Sequence, residues 1–227
     1  MHIIITSNIP IIGWDTGSYK IIRLNSSGIN VESNSPANVS FTAAFPEQPV
    51  TNVWNHIAIV RSGNSFTAYL NGRGGTPYTY SGNVGNGTDQ LNIGYKSDPA
   101  YYKGWMADLR IVKGTAVYTS DFVPPTEPLT AIAGTSLLTC TNKHSVWDAA
   151  SGLVPTLGGN ATASTTQTKY ASSSAYFDGN GDYIVIPSIT SEFSTLDFTV
   201  EFWVYINDVT SDIIFTYKRS NRFNQKL

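Results

Sequence analysis

The amino-acid sequence predicts an all-β fold, a sandwich of two antiparallel sheets with jelly-roll connections. Short apolar runs recur along the chain, and turn signals separate them roughly every 8 to 12 residues. The 19 glycines and 11 prolines, with many Ser, Thr and Asn residues, favour strands and turns over helices. No window keeps a helical period over several turns. At 227 residues, 41% of them apolar, the chain is long enough to bury a substantial core.

The predicted strands of the first half are short and are separated by turn residues. They cover residues 3–6, 19–25, 29–32, 39–45, 54–61, 66–71, 78–80, 90–95 and 105–112. The segment 62–65, Ser-Gly-Asn-Ser, has the composition of a hairpin turn, and Asn71-Gly72 marks the next turn. Residues 122–134 contain three prolines, which cannot donate to a ladder. We therefore expect this segment to wrap the surface as an extended connector.

The strand with the clearest alternation lies late in the chain, at residues 197–206. One face is apolar and the other mixes polar and aromatic side chains: Phe198, Val200, Phe202, Val204 and Ile206 against Thr199, Glu201, Trp203 and Tyr205. Five apolar side chains on one face predict a central core strand. Each of them would stabilise the fold by about 1.5–3 kcal/mol when fully buried.

Composition excludes several classes of partner. The net charge of −2 offers no basic surface for nucleic acid. No segment approaches the ~20 apolar residues of a membrane span, so we expect no membrane insertion. The single cysteine, Cys140, excludes an intramolecular disulfide. Residues 1–13 are apolar but lack the basic region of a signal peptide, so a strand explains them better. Export by the usual route is not indicated, and release by cell lysis, as for a virion component, fits equally well.

Five segments carry a resemblance to a known family. They are Phe177-Asp178-Gly179 through Asp182-Tyr183, and residues 198–205, 54–61, 69–72 and 108–115. Together they resemble the laminin-G-like, concanavalin A-like family, a jelly roll of two antiparallel sheets. The closest likeness is to the variants found in tandem in tail and fibre proteins of bacterial viruses. In that family the segments around Phe177 and Trp203 lie upstream of those around Trp54 and Asp108, whereas here the order is inverted.

The inverted order divides the chain into two blocks. Residues 1–135 form the block that normally ends such a domain, residues 136–217 form the block that normally begins one, and residues 218–227 form a tail. The chain is circularly permuted, or it joins the end of one domain to the start of the next, or it exchanges strands with a neighbouring subunit. We expect one closed jelly roll per chain, with strand exchange as the next alternative.

The resemblance includes glucan hydrolases, which use two carboxylates that project from one strand into a cleft. Such a strand requires a pattern close to Glu-x-Asp-x-Glu. The best strand carboxylate here, Glu201, has only Thr199 and Trp203 beside it on its face. The three histidines lie in unrelated segments, with no nucleophile grouping and no metal-ligand spacing. We therefore expect no catalysis.

A calcium site is suggested at one glycine-rich turn. Asp178, Asn180 and Asp182 alternate with glycines and offer the hard oxygen ligands that calcium prefers. The segment lacks the length and the closing Glu of an EF-hand loop. The alternative is a hairpin corner in which Asp side chains accept hydrogen bonds from backbone N–H groups. Calcium is the one cofactor that the sequence suggests.

Two loops are candidates for sugar contact, because sugar-binding surfaces combine exposed aromatic rings with polar hydrogen-bonding groups. The loop before one core strand carries Asp98, Tyr101 and Tyr102, and the loop after the first strand carries Trp14 and Asp15. For the two tyrosines the alternative is loop packing or a subunit interface.

These observations predict a non-enzymatic structural or appendage protein of a virion, such as a fibre, tail or surface-decoration component. We expect it on the virion or outside the cell. Its expected partners are other virion proteins and copies of itself, with host cell-surface glycans as a further candidate. The alternatives are a purely structural role, a calcium-dependent extracellular lectin of cellular origin, and a glucan hydrolase.

Overall fold

The computed structural model describes residues 9–10, 14–15, 20–33, 38–84, 90–95, 101–141, 148–150, 152–170, 173–187, 193–207 and 215–218. All regular elements in these ranges are strands. No helix long and apolar enough for a bilayer crossing occurs among these residues. The predicted all-β class is confirmed.

The strands are numbered here in chain order. They are β1 (Ile9–Pro10), β2 (Trp14–Asp15), β3 (Lys20–Asn25), β4 (Gly28–Ser33), β5 (Val39–Ala44), β6 (Trp54–Ser62), β7 (Ser65–Leu70), β8 (Arg73–Gly74), β9 (Tyr78–Thr79), β10 (Gln90–Ile93), β11 (Lys103–Lys113), β12 (Thr135–Thr139), β13 (Thr156–Gly158), β14 (Thr162–Ser164), β15 (Ser174–Asp178), β16 (Tyr183–Ile186), β17 (Phe198–Ile206) and β18 (Phe215–Lys218).

The strands form three sheets. The largest has nine strands in the order β14-β15-β11-β17-β6-β7-β8, with β12 pairing with β11 and β9 pairing with β7. A four-stranded sheet has the order β1-β3-β4-β5, and a five-stranded sheet has the order β13-β16-β10-β18-β2. The pairings among the described strands are antiparallel except that of β18 with β2, which is parallel.

One hydrophobic core lies between the nine-stranded sheet and the two smaller sheets. Its buried side chains come from all three sheets, for example Phe202 of β17, Leu24 of β3 and Ile93 of β10. Strand β18 lies beside β3, so the two smaller sheets together make the second layer. This arrangement is the predicted sandwich.

Strand β17 has the alternation that its sequence predicts. Four of its core-facing side chains have no exposed surface and the fifth has 1%: Phe198, Val200, Phe202, Val204 and Ile206. The intervening side chains point away from the core. We call this opposite side of the nine-stranded sheet the outer face.

Strands from the two predicted blocks alternate within the same sheets. Strand β17 of the second block lies between β6 and β11 of the first, and β15 pairs with β11. Strands β16 and β18 both pair with β10. The described strands of the two blocks thus pair with each other within the single chain, and closure within one chain as opposed to strand exchange stays a prediction. Because β12 begins at Thr135 and β18 extends to Lys218, the block boundaries at residues 135 and 217 remain a prediction.

A bulge in β11 controls which side chains reach the outer face. Ala107 lies opposite Trp203 and Arg110 lies opposite Glu201. Between these pairs, two residues of β11, 108 and 109, lie opposite one residue of β17, 202. Asp108 takes up the extra residue with a φ of 48°, a left-handed conformation that Asp tolerates better than most residues. The bulge therefore places Arg110 on the outer face beside Glu201.

The predicted connector crosses the outer face. Phe122 of the connector and Tyr118, which lies four residues before it, pack over a second, smaller apolar cluster formed by Ala58, Val60 and Tyr69. The Phe122 N–H donates to the Gly72 carbonyl at 2.8 Å. Gly72 has a φ of 81°, and a Cβ there would overlap the Phe122 carbonyl oxygen, so this close approach requires glycine.

Candidate functional site

Four aromatic side chains from four neighbouring strands form one row on the outer face. Trp105 of β11 lies opposite both Tyr176 of β15 and Tyr205 of β17, and Tyr205 lies opposite Trp54 of β6. The ring centroids are 4.8 Å apart for Tyr176–Trp105, 5.6 Å for Trp105–Tyr205 and 5.8 Å for Tyr205–Trp54. Rings at these separations attract one another. We call these four residues the aromatic row.

The aromatic row is partly open to solvent. Trp54, Tyr176 and Tyr205 are half-buried, and Trp105 in the middle keeps 8% of its surface exposed. The Trp105 indole N–H donates to Ser164 Oγ at 3.1 Å, which orients the ring. Paired strands hold all four rings in place before any ligand arrives. Neighbouring rings meet at 36°, 89° and 70°, so the half-buried rings can contact the apolar face of a ligand individually and not as one flat platform.

The next position along the strands carries a buried aromatic pair covered by a lysine. Trp203 and His56 lie opposite each other, with ring centroids 5.0 Å apart. The Lys169 Nζ lies 3.6 Å from the centroid of the Trp203 ring, a cation–π contact. Burial lowers the pKa of Lys169, and the nearby charge of Asp108 partly opposes that shift.

A buried ion cluster lies one position further along, beneath the connector. Arg110 Nε and Nη2 donate to Glu201 Oε1 at 2.9 and 2.5 Å, and Arg110 Nη1 donates to the Thr130 carbonyl at 2.8 Å. Tyr118 Oη donates to Glu201 Oε2 at 2.7 Å. His56 Nε2 lies 3.4 Å from the same oxygen but outside hydrogen-bond geometry. Because each Glu201 oxygen accepts a hydrogen bond, the carboxylate joins β17 to Arg110 of β11 and to Tyr118, which lies just before the connector.

Burial and pairing shift the pKa of Glu201 in opposite directions. Burial alone would raise the pKa of this carboxyl group, but the His56 imidazole, the Arg110 charge and the Tyr118 hydroxyl together hold it below its ordinary value. Glu201 has no exposed surface. Its charged form is therefore stabilised inside the protein and does not face a ligand.

The pKa of Asp108, at the bulge, is raised, in contrast to that of Glu201. Burial raises the pKa of Asp108 to about 7, and the Glu201 charge adds to this rise. The Leu129 N–H, the Arg110 charge and the Lys169 charge oppose the shift. The residue keeps 2% of its surface exposed, and its Oδ2 accepts from Leu129 N at 3.4 Å. Asp108 and Glu201 are thus both interior groups of the covered part of the outer face.

The sequence predicts that Tyr102 contacts sugar, but the structure places this side chain in the core. This side chain is 1% exposed and faces the core, and its hydroxyl donates to the Trp105 and Tyr205 carbonyls at 3.1 and 3.2 Å. Burial raises the pKa of Tyr102 well above its ordinary value. Tyr102 cannot stack on a ligand, because it fills the core at the start of β11.

Tyr101 has a different environment from Tyr102. It is half-buried and stacks on Tyr95 at 5.1 Å, and Tyr95 lies 5.4 Å from Tyr183. Asp98 lies outside the described residues. For the second predicted loop only the backbone is described: Trp14–Asp15 pairs in parallel with Tyr217 and Lys218.

The predicted calcium ligands act as caps of a hairpin corner. The Asp182 carboxylate is buried and accepts from the backbone N–H groups of Asn160 at 2.8 Å and Asp178 at 2.7 Å. The Asp178 carboxylate accepts from the Asn180 N–H at 2.7 Å and from Asn160 Nδ2 at 3.1 Å. Burial raises the pKa of Asp182, and these N–H donors oppose the shift.

A calcium ion does not fit this corner, because the carboxylate oxygens are already used by backbone and amide donors. The described part of the chain also contains no group of three or more His, Cys, Asp and Glu side chains placed to hold a metal. The geometry favours the hairpin-corner alternative for Asp178, Asn180 and Asp182.

We expect calcium removal to leave the stability unchanged. Treatment with a chelator should not move the midpoint of thermal unfolding, because the corner is held by N–H donors and not by a cation. Differential scanning calorimetry with and without millimolar calcium measures this. A midpoint that rises with calcium and falls with chelator would restore the calcium prediction, and magnesium serves as the control for unspecific ion effects.

The aromatic row was not identified from the sequence, although part of its signal was present. Alternation along β17 already places Tyr205 on the side away from the core. Trp54 and Trp105 stand near the starts of their strands. What the sequence does not contain is the register that aligns these residues across strands from distant parts of the chain.

Comparison with known proteins gives one match. The Laminin_G_3 family model, described as the concanavalin A-like lectin/glucanases superfamily, matches residues 3–117, just over half of the 227 residues. The searches of curated proteins and of solved structures found no significant match. The antiparallel sandwich agrees with the fold of that superfamily. On the family match, the chain belongs to the laminin-G-like branch of the concanavalin A-like lectin/glucanase superfamily.

Proposed function

We propose that the protein is a non-enzymatic carbohydrate-binding jelly roll whose ligand stacks on the aromatic row. The observation that carries the proposal is the alignment of four rings across four adjacent strands: Trp54, Tyr176 and Tyr205 are half-buried, and Trp105 between them is 8% exposed. The C–H groups on one face of a sugar ring pack well against aromatic rings. A row fixed by strand register suits an extended chain of sugars better than a single one.

Polar groups beside the row can supply directional contacts. Thr162 of β14 is exposed and lies opposite Tyr176, at one end of the row. Ser164 lies beside Trp105, to which it is already hydrogen-bonded. Sugar hydroxyls form hydrogen bonds with groups of this kind, and a few such groups around an apolar platform are typical of ligand sites.

We propose that the protein does not hydrolyse glycans, and the placement of its carboxyl groups supports this. Hydrolysis of a glycosidic bond needs two carboxyl groups that reach the sugar from opposite sides. Three carboxyl groups lie on the outer face near the aromatic row. Asp108 and Glu201 are 2% and 0% exposed, and the half-buried Asp178 accepts hydrogen bonds from Asn180 N and Asn160 Nδ2. Glu201 is also held by Arg110 and Tyr118. We propose that these groups stabilise the fold.

We further propose that the chain works as a surface component of a virion, as a fibre, tail or decoration protein. The resemblance to tandem domains of viral tail and fibre proteins supports this, and so does a site of half-buried rings with modest expected affinity. Many copies on one particle would raise overall avidity by about 10²–10⁴-fold without a deeper site. Its partners would be other virion proteins, further copies of the chain and glycans on the host surface.

Substitution of the row tests the proposal. In a multimerised form of the protein, Tyr205→Ala should weaken glycan binding at least about fivefold, because a stacked ring contributes roughly 1 kcal/mol or more per contact. Binding is measured on a glycan array and then by calorimetry on the best ligand. Thermal unfolding of the variant shows whether the fold survives.

Tyr101→Ala is the matched control for that test. It removes a tyrosine of similar exposure that lies before β11 and stacks on Tyr95, outside the row, and we expect it to leave binding unchanged. An array without signal, even with the multimer, would overturn the carbohydrate proposal and leave a purely structural role. Loss of binding with Tyr101→Ala and not with Tyr205→Ala would move the site to the predicted loop.

A further inference from the structure

Two lysines flank the aromatic row, one on either side of it along the strands. Lys103 precedes Trp105 by two residues on β11, so both side chains leave the sheet on the outer face about 7 Å apart. Lys169 covers Trp203, which precedes Tyr205 by two residues on β17. The row therefore lies between two cations.

Neither lysine is neutralised by a carboxylate in the described part of the chain. The ion pairs found there join Arg23 to Glu32, Arg73 to Glu47, and Arg110 and His56 to Glu201. Neither Lys103 nor Lys169 takes part in any of these ion pairs.

The natural partner of Lys103 is used elsewhere. Asp178 lies directly opposite Lys103 in the pairing of β11 with β15. Its carboxylate, however, accepts from Asn180 N and Asn160 Nδ2 at the hairpin corner. Asp178 keeps its charge, but its carboxylate is held at the hairpin corner and forms no ion pair with Lys103 within 4.0 Å.

The surroundings of Lys169 point the same way. Asp108 and Glu201, on that part of the outer face, are both buried beneath the surface, and the exposed Glu127 of the connector forms no ion pair with Lys169 within 4.0 Å. Glu201 is already paired with Arg110. The ammonium group has lost part of its hydration over the Trp203 ring, so an anion that approaches from the solvent side would replace lost water contacts.

We infer that the aromatic row selects acidic glycans, in which a carboxylate or sulfate group on a stacked sugar is held by Lys103 or Lys169. The inference rests on the proposed function. The rings supply affinity for the sugar ring, and the two ammonium groups supply the preference for an anion.

A glycan array with matched pairs tests the inference. Each neutral oligosaccharide is printed beside its sialylated, uronic acid-containing and sulfated counterparts. We expect the acidic member of a pair to bind about tenfold more tightly, and the preference to shrink as salt screens the charges. The double variant Lys103→Gln, Lys169→Gln should lose the preference and keep the affinity for the neutral member. Lys169→Arg should retain it.

The control variant is Arg73→Gln, which removes the same charge from an exposed pair on β8, away from the row. We expect it to leave the preference unchanged. The inference is overturned if neutral and acidic members bind equally, or if Arg73→Gln costs as much as Lys169→Gln. It is also overturned if Tyr205→Ala still binds acidic glycans, because the positive charge of the surface alone would then be sufficient for binding. Binding of no glycan at all would instead refute the proposed function itself.

Discussion

Residues 1–135, produced without the rest of the chain, are expected not to fold. The fragment contains β6 and β11, but the strand that separates them, β17, belongs to the second block. Without it, the core loses five buried side chains, at about 1.5–3 kcal/mol each, and two long strand edges become unpaired. A domain has about 5–15 kcal/mol of net stability, so the loss exceeds the reserve. Circular dichroism and the dispersion of an amide NMR spectrum measure the outcome.

The fragment of residues 136–227 provides the control. Mixed with the first fragment, it should restore the dispersed spectrum and a cooperative unfolding transition, because β15, β16, β17 and β18 all pair with strands of the first block. A first fragment that unfolds cooperatively alone would contradict closure between blocks. The family match lies wholly inside it, at residues 3–117, so that result would mean that the jelly roll is complete there. Light scattering on the full chain distinguishes closure within one chain from strand exchange, which multiplies the mass.

The sequence was sufficient for the parts of the fold that depend on short-range patterns. Alternation alone identified β17 and its two faces, and turn composition identified the hairpin between β6 and β7. Both signals depend on neighbours a few residues apart. The parallel pairing of β18 with β2 left no comparable pattern, because it joins residues about two hundred positions apart.

The candidate site was harder to predict because it depends on long-range register. Paired tyrosines on a loop suggested exposed rings, yet Tyr102 turns inward, since the core beneath β11 needs a large side chain at that position. Tyr176 and Tyr205 become neighbours of Trp105 only through two separate strand pairings. Aromatic residues on outward positions of central strands, and not those on loops, were the better signal.

The outer face divides into an open part and a covered part, and the boundary explains the roles of its residues. Beyond the aromatic row, the connector and the segment around Tyr170 cover the sheet, and the Tyr170 hydroxyl donates to the Pro125 carbonyl. Polar groups beneath that cover must be paired, which accounts for the contacts of Glu201 with Arg110 and Tyr118. The carboxylate position that resembles a catalytic one is thus a structural position in this chain.

Glu201→Ala is expected to lower the free energy of unfolding by about 3–5 kcal/mol, because it leaves the Arg110 guanidinium buried without its counter-charge. Chemical denaturation at neutral pH measures the change. The wild-type pair should also show a pH dependence. The pKa of Glu201 is held below its ordinary value of 4.5 in the folded protein, so its contribution is present above that value. The contribution is lost as the pH falls through the folded pKa, and the difference between wild type and variant should shrink there.

Glu47→Ala is the matched control for this substitution. Its partner Arg73 lies 3.5 Å away, and the two side chains are 54% and 63% exposed, so the loss should be about 0–1 kcal/mol. A Glu201→Ala variant no less stable than Glu47→Ala would show that the cluster is not closed in solution.

Asp108 gives an opposite trend in the same titration, because its raised pKa of about 7 means that the folded state loses stability as the pH rises toward 7. That loss should remain in Glu201→Ala, although weaker, since the Glu201 charge is one cause of the Asp108 shift. The acid-side loss below pH ~4.5 should disappear with the Glu201 carboxylate, so the two limbs of the stability profile separate the two carboxyl groups.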